Sequence, residues 1–207
     1  MEGIVKQTNG AVAVIPATPA GLVNGEQLLK IAQLVNEGAG LAKFTTGEHI
    51  VILTAEDKVE QVKQELASVG LGIAPVGPTV RNVKTCPGNL CEFALQNALN
   101  DGLNVDKEFS GREMPNAVKI AISGCPRNCM EARCNDIGFI GTKNGYKLYI
   151  GGKGGNQILG ELLDKDVAPD ELINYTKHII AIYKDNAKPK ERLASVINRI
   201  GIEKFKR

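Results

Sequence analysis

Ser123-Gly-Cys-Pro-Arg-Asn-Cys-Met-Glu-Ala-Arg-Cys-Asn-Asp-Ile-Gly138, taken with Thr85-Cys-Pro-Gly-Asn-Leu-Cys91 upstream, holds all five cysteines of the 207-residue chain. Cys86 and Cys91 form one spaced pair and Cys125 and Cys129 a second, each set among Gly, Pro and Asn residues that let a backbone turn sharply around a bound object. Four thiolates from two short loops suit either a tetrahedral zinc or an iron–sulfur cluster, and spacing alone leaves both open. Cys134 is surplus to such a set and reads as a core or supporting thiol.

Working outward, the chain before the first pair alternates strands and helices. Gly10 to Ile15 reads as a strand ended by Pro16 and Pro19. Asn24 then caps a helix carrying Leu28, Ile31, Ala32 and Val35 at helical spacing, which Gly38 and Gly40 stop. Leu41 to Thr45 and His49 to Leu53 read as strands around Thr46-Gly47, and Glu56 to Val69 as an amphipathic helix closed by Gly70. That order fits a ferredoxin-like half, with helices on one face of a small antiparallel sheet. Two prolines and two glycines in Gly72–Pro78 read as a linker, which divides the chain at 1–75 and 76–207.

In the second part, Thr79 to Thr85 is expected as a strand leading into the first pair, and Asn89 to Asn100 as a helix closed by Gly102, with Cys91 in its first turn. Ala117 to Ser123 delivers the second pair. Ile137 to Gly141 and Tyr146 to Ile150 form a hairpin, and Pro169 to Asn186 and Pro189 to Ile200 are the closing helices. The glycine run at 151–155 matches neither phosphate-binding motif and reads as a tight turn near a bulky ligand.

Composition narrows the function classes. With 25 basic and 23 acidic residues spread along the chain, no basic block marks a nucleic-acid or membrane partner, and aromatic residues at 4% make stacking platforms scarce. The absence of a leader pattern or long apolar run reads as cytoplasmic, where an odd number of cysteines favours metal or cluster ligation over disulfides. Lys43, His49, Arg81, Lys84, Arg127, Arg133 and Lys153 lie near the glycine turns and cysteines in sequence, and together they suggest an anionic ligand.

The cysteine stretch, the following Gly-Phe-Ile-Gly and Gly-Tyr-Lys-Leu-Tyr-Ile-Gly-Gly, the upstream Val80-Arg-Asn-Val-Lys-Thr-Cys-Pro-Gly and Leu41-Ala-Lys-Phe-Thr-Thr-Gly-Glu-His-Ile together resemble the sirohaem-containing nitrite and sulfite reductases, from about Val12 to Asp185. The resemblance implies an α+β chain: a ferredoxin-like half domain followed by a sirohaem- and [4Fe–4S]-binding α/β module with C-terminal helices. It implies a [4Fe–4S] cluster on Cys86, Cys91, Cys125 and Cys129, the last also serving as axial ligand of sirohaem. Arg127, Arg133 and Lys153 then face sirohaem carboxylates, while Lys43, His49, Arg81 and Lys84 serve catalysis. The expected activity is six-electron reduction of sulfite, or else nitrite, by a ferredoxin-like donor, in a chain working alone or as a homo-oligomer. A non-catalytic [4Fe–4S] electron-transfer protein or reductase subunit is the alternative, and a structural zinc protein ranks last. The chain departs from the family pattern in having one residue fewer between Cys86 and Cys91, and in carrying Gly47, Glu48 and His49 in the substrate-side turn.

Overall fold

The computed structural model describes residues 1–38 and 41–207. Its first part is a four-stranded antiparallel sheet of β1 (Ile4–Lys6), β2 (Val12–Val14), β3 (Ala42–Phe44) and β4 (Ile50–Thr54), in the order β1-β2-β4-β3. Alternation along the central strands sets the faces. Val12 and Val14 pair with Thr54 and Ile52, and these strands bury Val12, Val14, Ile50 and Ile52 under Ile31 and Leu34 of α1 (Gly25–Glu37) and Val62 and Leu66 of α2 (Val59–Ser68). The expected N-terminus of α1 is present as a full capping box. The Asn24 side chain accepts from Gln27 N (2.9 Å), and the Gln27 side chain accepts from Asn24 N (3.0 Å), an arrangement worth about 1 kcal/mol. Gly38 lies just past the helix, where a Cβ would stand 2.7 Å from Leu53 O; the second stop residue expected there, Gly40, lies outside the described residues.

The stretch 72–78 is not a free linker. Ile73 bridges Pro16, Pro75 bridges Glu2, and Ala74 N donates to Ile15 O (2.8 Å), so it runs as an extended margin of the first sheet.

The second sheet has the order β5-β6-β7-β8-β9, made of β5 (Lys84–Thr85), β6 (Ile120–Ser123), β7 (Ile137–Thr142), β8 (Gly145–Ile150) and β9 (Glu161–Val167). The first three strands are parallel and the last three antiparallel. Ile120, Ile122, Ile137, Phe139, Tyr146 and Leu148 form the main core with Val105 and Phe109 of α3 (Ala98–Phe109). Ile179 and Tyr183 of α4 (Leu172–Asn186) and Val196 and Ile197 of α5 (Leu193–Ile200) complete it.

The structure departs from four sequence expectations. The helix near the first pair spans 98–109 rather than 89–100, because Leu95 N and Gln96 N donate to Gly124 O (2.9 and 3.0 Å) and hold the preceding stretch irregular. Gly102 is inside that helix instead of closing it, and Cys91 follows a 3-10 turn, Gly88–Leu90, instead of sitting in a helical first turn. The last helix begins at Leu193, since Lys190 has φ +63° and Glu191 turns back to cap Lys188 N (2.8 Å). β9, a polar strand with register shifts against β8, carries no period that sequence reading recognises.

Candidate active site

Parallel pairing of Lys84 with Ala121 and Thr85 with Ile122 makes β5 and β6 release their chains at the same edge, the carboxyl end where ligands of α/β sheets bind. Cys86 therefore lies beside Gly124 and Cys125. Gly124 N donates to Cys86 Sγ (3.1 Å), which fixes the sulfur of the first loop against the start of the second. The close fit needs glycine: a Cβ on Gly124 would stand 2.8 Å from Gln96 O, and one on Gly141 of β7 2.3 Å from Gly124 O. Cys86 and Cys125 are buried, Cys91 is half-buried and Cys129 exposed, Cys91 and Cys129 lying farther along the two loops that Cys86 and Cys125 begin. Ser123 Oγ accepts from Met130 N (3.1 Å) and Asn128 Oδ1 from Ala132 N (2.8 Å), fixing the second loop. Cys134 is set apart against the glycine turn, where a Cβ on Gly154 would meet its Cβ at 2.9 Å. Among the described residues, no three His, Cys, Asp or Glu side chains gather as ligands of a single ion.

A cavity of about 260 Å³ lies between the β3–β4 turn and the second sheet, with Thr45, Gly47, His49, Arg81, Asn82, Lys84, Lys119 and Asn135 in its wall. Asn82 Nδ2 donates to Gly47 O (2.9 Å), Thr45 Oγ1 accepts from His49 N (3.2 Å), and Thr18 Oγ1 donates to Glu48 O (2.8 Å), so the turn is fixed from both sides. His49 is 7% exposed, and its Nδ1 and the Nε of Arg81 are buried without partners. Unsatisfied buried groups of this kind cost about 1–3 kcal/mol each. Burial, with Arg81 adding repulsion, holds the His49 imidazole below the usual histidine range. Burial likewise lowers Arg81 and Lys84, with Glu131 and Glu48 working the other way on Lys84. Lys84 Nζ donates to Met130 O (3.3 Å), joining the cavity to the second cysteine loop. The arrangement is a small, largely cationic pocket whose oriented donors suit a small oxyanion.

The structure thus brings His49, Arg81 and Lys84 together and leaves Lys43 out. Lys43 pairs with Val51 and shares its sheet face, but its side chain is exposed and does not line the cavity. Arg127 stacks 3.6 Å above the Phe93 ring and so ties the two cysteine loops together. Arg133 lies over Tyr149 (5.2 Å), its Nε donating to Gly160 O (3.4 Å), and Lys153 is half-buried on the glycine turn, so these two belong to the Cys134 side. Sequence reading missed Lys119, a cavity residue. Its signal was a lone lysine at the head of an otherwise apolar strand, in the same alternation as Ala121 and Ser123.

Compared with known proteins, residues 76–207 match the model of the nitrite and sulphite reductase 4Fe-4S domain, and residues 5–69 that of the nitrite/sulfite reductase ferredoxin-like half domain. An assimilatory-type sulfite reductase of Nitratidesulfovibrio vulgaris is 30% identical over 203 residues, covering 97% of this chain and 93% of that one. A nitrite reductase [NAD(P)H] of Bacillus subtilis is 34% identical over 200 residues, and there the match covers 95% of this chain but 25% of the relative. The fold is shared with dissimilatory sulfite reductase I (TM-score 0.84, 18% identity, 94% of this chain and 68% of that one) and with the NirA protein of Mycobacterium tuberculosis (0.82, 21%, 94% and 39%). With both parts of the chain matched and a near-full-length relative at this identity, the chain belongs to the nitrite and sulphite reductase family of oxidoreductases, whose cofactors are a [4Fe–4S] cluster and sirohaem.

Proposed function

We propose that this chain reduces sulfite, or alternatively nitrite, by six electrons taken from a low-potential ferredoxin-like donor. The single observation that carries the reading is the cationic cavity with two unpartnered buried nitrogens beside the cysteine loops. Sulfite is placed first because the assimilatory-type sulfite reductase is matched over nearly its whole length.

In this reading Cys86, Cys91, Cys125 and Cys129 would hold the cluster, and Cys129 would also contribute to holding sirohaem. Arg127, Arg133 and Lys153 offset sirohaem carboxylates. Once bound, these cofactors would supply the electron-transfer chemistry of the reduction. Arg81, Lys84 and Lys119 hold the oxyanion's charge, and His49 with the cavity water passes protons, so that substrate oxygens leave as water. No helix among the described residues is long and apolar enough to cross a membrane.

The test is an anaerobic preparation with iron, sulfide and sirohaem quantified, given a strong artificial reductant and sulfite or nitrite in parallel. Sulfide from sulfite is expected, and Lys84→Ala should lower kcat by about 10²–10³, the usual loss on removing one oriented donor. If protein loaded with both cofactors makes neither sulfide nor ammonia, the reading fails and the electron-transfer alternative takes its place.

A further inference from the structure

Glu48 stands where the two halves of the molecule touch. Its backbone is left-handed (φ +60°), a conformation uncommon outside glycine, and Thr18 Oγ1 on its carbonyl helps hold it there. From this position the carboxylate crosses to the second sheet and accepts from Thr85 N (3.1 Å), one residue before Cys86. Gly21 (φ +69°) packs on the Glu48 stem, and both residues line an outer groove of about 480 Å³ together with Leu28, Phe44 and Ile50. Thr45 and His49 wall both this groove and the inner cavity. Glu48 therefore lines the outer groove, lies in sequence between the cavity residues Gly47 and His49, and binds the peptide leading into Cys86.

The charged groups that face it are few. Lys84 on β5 attracts it, Arg81 and His49 lie on the cavity side, and the Thr18–Gly21 segment over its stem has no ionisable side chain. Burial is the largest influence on Glu48 and pushes its carboxyl up, with Thr85 N and Lys84 opposing. A group balanced in this way changes protonation when one more charge is added nearby.

We propose that Glu48 is a redox-linked proton store, taking up a proton from groove water when an electron is added at the cysteine loops and releasing it to the cavity as reduction proceeds. This rests on the reading that Cys86 ligates the cluster. The balance is simple: the electron comes from the one-electron ferredoxin-like donor, the proton comes from water, and one O–H bond forms on the carboxylate and breaks again when the substrate takes both. Reduction of sulfite or nitrite consumes more protons than electrons, so a store loaded together with the electron serves either substrate.

The experiment is a redox titration of the cluster, followed by electron paramagnetic resonance across a pH series without substrate. In wild-type protein the midpoint potential should fall as pH rises, with a slope approaching 59 mV per unit, the one-electron value for a tenfold change. Glu48→Gln should abolish the slope, Glu48→Asp should keep part of it, and His49→Gln should keep it. A reduced-minus-oxidised infrared difference spectrum of wild-type protein with labelled glutamate should show a carboxyl gaining its proton, a readout that needs no variant to fold. A pH-independent potential in wild type, an equal slope in Glu48→Gln, or a slope lost only in His49→Gln overturns the proposal while leaving the reductase reading intact. Wild-type protein without a cluster, or with an unchanged cluster in Cys86→Ser, overturns the reading and the proposal together.

Discussion

His49 shows how much a single side chain's surroundings change what its identity suggests. Histidine near an active site reads as a group titrating near neutrality, with turnover falling as pH rises. Burial and Arg81 instead lower its pKa from the ordinary 6.5, so the imidazole is neutral at neutral pH. The signs follow. The unfolded chain takes up a proton at His49 more readily than the folded one, so folding stability is lost as pH drops below 6.5. Turnover that uses neutral His49 should hold through the neutral range and fall on the acid side. His49→Ala should remove that acid limb in a pH–rate profile, and it should cost less in kcat than Lys84→Ala because Lys84 in the proposed mechanism also holds substrate charge. Among the cysteines, Cys86→Ser should lose iron and sulfide, whereas Cys134→Ser, altering a thiol packed on Gly154, should keep the cluster. Iron analysis of the two variants separates the roles, and the opposite pattern would overturn the ligand set.

At the scale of elements, α3 carries the clearest packing test. A Cβ on Gly102 would fall 1.9 Å from Cγ2 of Thr85, the residue just before Cys86. Alanine gains about 1 kcal/mol over glycine in a helix interior, yet overpacking a core costs about 1–3 kcal/mol. Gly102→Ala should therefore be destabilised in urea unfolding and hold less iron, and adding Thr85→Ser, which removes that methyl, should restore both. This glycine also explains what sequence reading could and could not reach. Local signals worked where they were self-contained: Asn24 at the start of α1, the strand runs that became β2 and β4, and the hairpin of β7 and β8. They failed where another loop made the decision. Gly102 looks like a helix stop until Thr85 is seen against it, and 91–97 looks helical until its donors are found on Gly124 O. The site divided in the same way. Cysteine spacing showed which loops belong together, but Lys119 and the role of Glu48 depend on contacts between residues far apart in sequence, such as the 37 positions separating Glu48 from Thr85.

For the molecule as a whole, one buried ion pair ties the C-terminal helices to the cavity. Asp136, 1% exposed at the start of β7, accepts from Arg192 at 2.9 and 2.8 Å and from Lys119 N at 2.9 Å. Arg192 stands at the N-terminal end of α5. The same carboxylate therefore anchors the last helix on one side and the cavity lysine just before β6 on the other. Burial raises the Asp136 pKa, and Arg192 is the largest influence against that rise. Removing Arg192 leaves a buried charge with a single backbone donor, a change that typically costs about 3–5 kcal/mol. Arg192→Met should therefore be strongly destabilised at neutral pH. The loss must shrink as pH falls through the Asp136 pKa, because a protonated Asp136 no longer needs the guanidinium. Asp136→Asn with Arg192→Met removes both charges and should recover part of the stability while leaving Lys119 less well placed, visible as a raised KM for the proposed oxyanion substrate. Urea unfolding of the single and double variants at acid and neutral pH measures the coupling, and a pH-independent loss in Arg192→Met would show that the pair acts through packing rather than charge.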